Sequence, residues 1–319
     1  MSLLISFIAA IFPILIYSFI LWKLDKYDRE PFLFVSAHFL WGAVGAILLG
    51  IIGNLFLSLL SGQLDSNSES TNFLQSVIFA PICEEIAKGI FLIISVNSKK
   101  FDNITDGLLY GGTIGLGFGM TENFMYFAAY STSITDWIYI VIIRSLFSAV
   151  MHCIATGTLG AFLALSKFTN HKVKKVYPLV GLLLAMMIHF TWNISVSFEK
   201  TYLWGLLFMI ALISFFILIF LLSVSNERKI IESELLEEIN LGLIPQDYVN
   251  ILSSFSRLKI GWISEDVRKE YTRYAVRLAF TKNLFKNSSG YKKIFYESEI
   301  EKYRTAIKLL KSNYQLENK

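Results

Sequence analysis

Residues 80–91 read Ala-Pro-Ile-Cys-Glu-Glu-Ile-Ala-Lys-Gly-Ile-Phe. The stretch sits in the middle of an apolar run, about residues 72–96, of the length that crosses a bilayer. Three of its residues contradict that setting: Glu84, Glu85 and Lys88. A charged group at the centre of a bilayer costs about 2.5–3.5 kcal/mol on insertion scales, and more by other reckonings. Other parts of the chain must return that energy, so the rest of the sequence has to supply partners at the same depth.

The chain as a whole supports a membrane setting. It has 319 residues, of which 54% are hydrophobic and 15% aromatic, and its mean hydropathy is +0.54. Few soluble domains have this composition. Apolar runs of spanning length occur at about residues 2–22, 33–60, 72–96, 104–130, 137–166, 175–198 and 202–224. The connections between them alternate in charge. Lys23, Lys26 and Arg29 follow the first run, and residues 61–72 contain no Lys or Arg. Lys99 and Lys100 follow the third, Lys167, Lys172, Lys174 and Lys175 the fifth, and Arg228 and Lys229 the seventh. The positive-inside rule turns this pattern into seven spans, with the N-terminus outside and the C-terminal tail in the cytoplasm. The N-terminus lacks a basic region ahead of its apolar run and reads as a retained first span rather than a cleaved signal.

The expected fold is therefore all-α, a polytopic membrane helix bundle of about seven transmembrane helices over residues 1–225, with a small cytoplasmic helical tail over 226–319. The first part carries 12 Lys+Arg and 12 Asp+Glu, the tail 17 and 13, so the whole net charge of +4 belongs to the tail. No basic run or aromatic–basic interleaving there suits nucleic acid; anionic lipid headgroups are the simpler partner. Amphipathic helical periodicity and a Gly-Leu-Ile-Pro stop near residue 242 mark the tail as helical. Cys83 and Cys153 lie in separate apolar runs and form no disulfide framework. Gly107, Gly111, Gly115 and Gly119 recur every fourth residue, which predicts a smooth packing face on the fourth span.

Besides the Glu pair, the spans contain Glu122, Arg144, His152, His189 and Asn193. At about 1.5 Å per helical residue, Glu84, Glu122, His152 and His189 fall in a slab about 10 Å thick. Four helices can thus converge four ionisable groups on one site. Each has a structural alternative. Lys88 stands three residues from Glu85 and four from Glu84, the spacing of ion pairs on one helix face. Arg144 reads as a charge partner for a carboxylate such as Glu122, or as a residue snorkelling to the interface. His38 reads as structural, His171 lies in a basic loop, and Asp102 and Asp106 read as helix caps. His189 and Asn193, one turn apart, face the same object.

Several common active-site signatures are absent: His-Glu-x-x-His, Gly-x-Ser-x-Gly, Gly-x-Gly-Asp and the phosphate-binding loop. What remains is Glu, His and Asn. A carboxylate in a dry site can take a proton from water, and a His–Asn pair can donate hydrogen bonds to an oxyanion. The same Glu84, Glu122, His152 and His189 could instead hold a divalent metal such as zinc, which would acidify that water. The residue types serve both mechanisms, and both remain open at this stage. A proton-coupled transporter and a non-catalytic membrane scaffold also use buried carboxylates and histidines; the lack of internal repeats tells against the transporter.

In order, Ala80–Gly89, the segment from Asp106 to Phe127 containing Phe118-x-x-x-Glu122-Asn123, residues 151–160 around His152, and His189-x-x-x-Asn193 resemble the PrsW family of bacterial intramembrane proteases, within the wider superfamily of prenyl-protein endopeptidases and bacteriocin-processing enzymes. The likeness covers roughly residues 23–225, including Asp25–Gly42. It implies a peptidase of the bacterial cell membrane whose essential residues are Glu84, Glu85, Glu122, His152, His189 and Asn193. It further implies a single-pass membrane protein as substrate, an anti-sigma factor cut near its outer face in the first step of an envelope-stress response. In the prenyl-endopeptidase branch the first Glu activates water, which points to Glu84 as base and Glu85 as its neighbour. That branch has His where this chain has Glu122, so His152 is the candidate replacement.

Overall fold

The computed structural model describes residues 2–63, 65, 68–98, 100–129, 133–168 and 172–317. Lys99 and His171, named above as loop residues, lie outside them. Among the described residues the chain is all-helical, without strands. It forms two compact units: one of residues 1–25, 30–167 and 172–220, the other of residues 26–29, 168–171 and 221–319.

The long helices of the first unit are α1 (Leu3–Leu24), α2 (Phe32–Leu60), α3 (residues 69–95), α4 (Ile104–Ala129), α5 (Ile134–Phe168) and α6 (Tyr177–Val196); α7 (Glu199–Asn240) begins in this unit and continues into the other. Five of them, α1, α2, α5, α6 and α7, are long and apolar enough to cross a membrane. The protein is thus a multi-pass membrane protein. The other two carry charged residues within their apolar stretches, Glu84, Glu85 and Lys88 on α3 and Glu122 on α4, and α4 is rich in glycine, so neither meets the same measure.

Helix α4 is the hub of this unit, and its glycines make it so. A methyl group added at Gly107, Gly111 or Gly115 would collide with the backbone carbonyl of Gly160, Thr156 or His152 on α5. Without Cβ atoms the two helices touch backbone to backbone, as the four-residue spacing predicts. On another face, Gly117 meets the carbonyl of Phe39, and Thr121 Oγ1 donates to the Ala43 carbonyl at 2.8 Å, which fastens α2. Helix α1 is tied on by Ser6 Oγ, which donates to the Phe127 carbonyl at 3.1 Å. Helix α2 holds α3 through Trp41 Nε1, donating to the Ala87 carbonyl at 3.2 Å, and through Gly53 against Cys83.

Three of these helices contain a π-helical turn: Trp41–Ala46 in α2, Gln75–Phe79 in α3 and Arg144–Ser148 in α5. An extra residue in a turn rotates everything beyond it and leaves backbone groups to be satisfied otherwise. In α3 the turn precedes Glu84 and in α5 it precedes His152, so two of the three reset the angle at which site residues project.

At the start of α4, Asn103 Oδ1 accepts from the Asp106 N–H at 2.9 Å, and Asp106 Oδ2 accepts from the N–H groups of Asp102 and Asn103 at 2.7 and 3.0 Å. Asp106 thus has the capping duty assigned from sequence, and Asn103, not singled out there, is its reciprocal partner. His38 is fully buried, donates from Nδ1 to the Phe34 carbonyl at 2.7 Å and stacks on Tyr110 with ring centroids 4.3 Å apart. It is the structural histidine expected.

The second unit contains the end of α7, α8 (Gln246–Leu252), α9 (Glu265–Lys286) and α10 (Tyr291–Glu317). Its core includes Ile231, Leu235, Leu252, Leu278 and Ile307. Helix α7 stops at Gly242, whose φ of +65° suits glycine, and the Gly242 and Leu243 N–H groups cap the carbonyls of Ile239 and Glu238, both at 2.9 Å. Glu238 is enclosed in this unit between Lys282 at 2.7 Å and Arg304 at 2.8 Å. Burial alone would raise its pKa, but the hydrogen bonds from Arg304 and Lys282 outweigh burial and hold it below the usual carboxylate range.

Candidate active site

The polar residues of the spans come together in one network. Glu85 is fully buried, and Lys88, one turn on, donates to its Oε1 at 2.8 Å. The same Oε1 accepts from His189 Nδ1 at 3.0 Å, and Oε2 accepts from Thr156 Oγ1 at 3.1 Å. Three helices thus supply donors to one carboxylate, which is the compensation its burial requires. Lys88 is also fully buried. Its ammonium lies 2.8 Å from His152 Nδ1, 3.7 Å from Glu84 Oε2 and 3.9 Å from the centroid of the Phe118 ring.

These partners assign the histidine tautomers. An ammonium only donates, so His152 Nδ1 accepts from Lys88, and His152 Nε2–H donates to Glu122 Oε2 at 2.9 Å. Glu122 Oε2 also accepts from Arg144 at 2.6 Å, and Arg144 Nε donates to Asn123 Oδ1 at 3.1 Å. Arg144 is therefore the partner of Glu122, as one of the two sequence readings had it, and its guanidinium stacks 3.5 Å from the centre of the Tyr126 ring. His189 gives Nδ1–H to Glu85, which turns the lone pair of its Nε2 toward Glu84 Oε2, 3.9 Å away. The rings of His152 and His189 meet edge to face at 4.8 Å.

Glu84 differs from its neighbours. Its Oε2 is enclosed yet has no hydrogen-bond partner among the described residues, while 13% of its side chain remains exposed. That exposure opens on a cavity of about 1260 Å³, lined by Glu84, Glu122, Asn193, Asn54, Asn72 and Gln75 among others. Asn193 stands on the cavity wall and donates from Nδ2 to the Ser76 carbonyl at 2.8 Å. The acceptor lies in the π-helical turn of α3, so Asn193 satisfies a carbonyl of that turn and keeps its second N–H and its oxygen for other partners. Cys83 and Cys153 are free thiols, as expected.

The donor set fits a divalent ion. One ligand atom from each of Glu84, His152 and His189 lies within 4.8 Å of the others. Glu84 Oε2 is an orphaned oxygen, and the His189 imidazole is oriented through Nδ1 by a carboxylate, as metal-binding histidines commonly are. His152 can join only by exchanging one of its two hydrogen bonds, because both ring nitrogens are in use. Glu122, a metal candidate from sequence, has Arg144 and His152 on one oxygen and is not among the three whose ligand atoms converge.

The sequence reading missed three contributors. Thr156 completes the partners of Glu85, Ser76 binds Asn193, and Asn54 lines the cavity. A hydroxyl one turn from His152 that meets a carboxylate of another helix carries no sequence signal, and a lone Asn in an apolar run resembles any tolerated polar residue.

An enclosed glutamate and two histidines, brought together by apolar helices beside a cavity, are residue types that hydrolytic sites use. Comparison with known proteins agrees. The sequence model of the PrsW family of intramembrane metalloproteases matches residues 30–222, and the chain belongs to that family. It is 28% identical over 206 residues to Protease PrsW of Clostridioides difficile (strain 630), covering 64% of this chain and 83% of that protein. It is 25% identical over 190 residues to Protease PrsW of Bacillus subtilis (strain 168), covering 59% and 81%. For Protease PrsW of Geobacillus kaustophilus (strain HTA426) the identity is 26% over 191 residues, covering 59% and 78%. No solved structure matches the chain. The protein is a membrane peptidase.

Proposed function

We propose that the chain is an intramembrane endopeptidase that cuts a single-pass membrane protein, with a water activated by Glu84 as nucleophile. The observation that carries this reading is the unpartnered Glu84 Oε2, facing His189 Nε2 at 3.9 Å beside a cavity of about 1260 Å³. A separation of 3.9 Å is too long for a direct hydrogen bond and leaves a polar gap where one oxygen can bridge. Glu84 takes the proton of that water as it attacks the scissile carbonyl, and His189 orients it. Lys88 and Glu85 hold the imidazoles in their tautomers and keep the neighbouring charges balanced. Asn193, from the facing wall, donates to the oxygen on which negative charge develops. After collapse of the tetrahedral intermediate, the proton on Glu84 passes to the leaving amine. A divalent ion of the zinc class would be held by Glu84, His189 and His152, and when bound its Lewis acidity would replace proton acceptance by Glu84 in activating that water.

The alternation of basic connections supports seven spans in the bacterial cell membrane, with the N-terminus outside and residues 226–319 a cytoplasmic helical tail. In that orientation the polar end of the cavity, around Asn72 and Gln75, faces outward, and the cut falls toward the outer end of the substrate segment. An anti-sigma factor, the substrate that the sequence resemblance implies, has the required form: one span, with soluble parts on both sides.

The test is hydrolysis of a single-pass substrate by the purified protein in proteoliposomes, with and without a strong chelator. The expected result is cleavage that chelation abolishes and zinc restores. Full activity after exhaustive chelation would remove the ion from the mechanism and leave Glu84 and His189 alone with the water. No cleavage by protein of verified fold would overturn the endopeptidase reading for that substrate class.

A further inference from the structure

Helix α2 is apolar around Asn54, and that residue has no evident packing role. Its neighbours Ile51, Ile52, Leu55 and Phe56 are 51–62% exposed on the outer surface of the unit. Asn54 instead lies on the side of Gly50 and Gly53, which pack on α3. It is partly buried, and it lines the cavity that holds Glu84 and Asn193. No hydrogen bond ties its carboxamide to another described residue. A carboxamide in a membrane helix costs free energy unless something pairs with it. Within this cavity the available partners are water and whatever the cavity binds.

Its position fixes what it can reach. A methyl group at Gly50 would lie 3.2 Å from Glu84 Cγ, and Asn54 stands one helical turn beyond Gly50 on the same face, about 5–6 Å along the axis. An extended peptide advances about 3.3 Å per residue. The carboxamide is therefore about two residues along a bound chain from the bond at Glu84. A carboxamide carries the donor and acceptor of a peptide group, so its natural complement is substrate backbone. An α-helical segment offers few free groups, because its interior N–H and C=O groups already pair four residues apart.

We propose that Asn54 is a substrate-binding residue, pairing with the main chain of the substrate about two residues from the scissile bond, and that it selects segments unwound at that point. This rests on Glu84 as the reacting group. An interaction so far from the reacting atoms is present equally in ground and transition states, so its loss raises KM and leaves kcat in place.

The probe is a synthetic single-pass peptide: a Leu/Ala segment ending in a Gly-Ser-Ala-Gly stretch, with fluorophore and quencher on either side of that stretch. KM and kcat are read with Asn54→Leu and Asn54→Gln in the otherwise unchanged protein. Kd is read with the same changes combined with Glu84→Gln, so that binding is measured without turnover. Asn54→Leu is expected to raise KM and Kd about five- to tenfold, the effect of one hydrogen bond, with kcat within about twofold. Asn54→Gln, which keeps the carboxamide, retains most of the affinity. Unchanged KM and Kd in Asn54→Leu overturn the proposal, as does a fall in kcat at constant KM. Binding that depends on Asn54 without any cleavage keeps the subsite and removes Glu84 from its role. A wild-type protein that neither binds nor cuts the probe overturns both.

Discussion

Glu84→Gln is expected to lower the rate of peptide-bond hydrolysis about 10²–10⁴-fold, the usual contribution of a positioned proton acceptor, while leaving the protein folded and inserted. The substitution keeps the shape of the side chain and removes only its charge and its ability to accept a proton. Its structural cost is small because Glu84 Oε2 has no hydrogen bond to lose, and its ion pair with Lys88, at 3.7 Å, is the longer of the two that Lys88 makes. Glu85→Gln differs in kind. Glu85 accepts from Lys88, His189 and Thr156, so the amide must turn a donor toward one of them, and both stability and activity fall. Activity measured beside thermal unfolding in detergent separates the two glutamates. Retention of activity by Glu84→Gln at more than about a tenth of wild type would take the proton-accepting role away from Glu84.

Lys88→Leu is expected to remove activity and to destabilise the protein by about 3–5 kcal/mol, the cost of leaving a buried charge without its partner. Lys88 is fully buried and makes four contacts at once: the Glu85 carboxylate, His152 Nδ1, the Phe118 ring and, at 3.7 Å, Glu84 Oε2. Its loss leaves Glu85 with two donors and frees His152 Nδ1, so the ring can take the other tautomer and lose its bond to Glu122. Adding Glu85→Leu removes the unpaired charge. The double variant is expected to regain most of the stability and none of the activity. Denaturant or thermal unfolding of the single and double variants checks this. A cost under about 1 kcal/mol for Lys88→Leu would show that the network tolerates the loss and that Lys88 is not its organising charge.

Much of this site could be read from the sequence because membranes make polar residues conspicuous. Glu84, Glu85, Lys88, Glu122, Arg144, His152, His189 and Asn193 stand out against apolar runs; the structure brings the first seven within one network and puts Asn193 on the wall of the adjoining cavity. The glycine spacing on α4 predicted a packing face, and the structure puts α5 against it. The pairings could not be read. Spacing on α3 allows Lys88 to face either glutamate; the shorter bond goes to Glu85 because His189 and Thr156 approach from the same side. That Lys88 also fixes the tautomer of His152, 64 residues away, depends on how α3 and α5 pack. The π-helical turns at Gln75–Phe79 and Arg144–Ser148 left no mark in the composition of their segments, although they set the direction of the residues that follow.

The proposed mechanism requires that Glu84 meet water inside a bundle whose outer surface is apolar. The most direct test places single cysteines by Glu84→Cys and Ile86→Cys in a background with Cys83 and Cys153 replaced by alanine, and measures modification by a charged, membrane-impermeant thiol reagent in intact membranes. Ile86 is 46% exposed on the same helix with no place in the cavity lining. Rapid modification at position 84 with none at position 86 is the predicted result. Equal protection of both positions, with the protein folded, would contradict it.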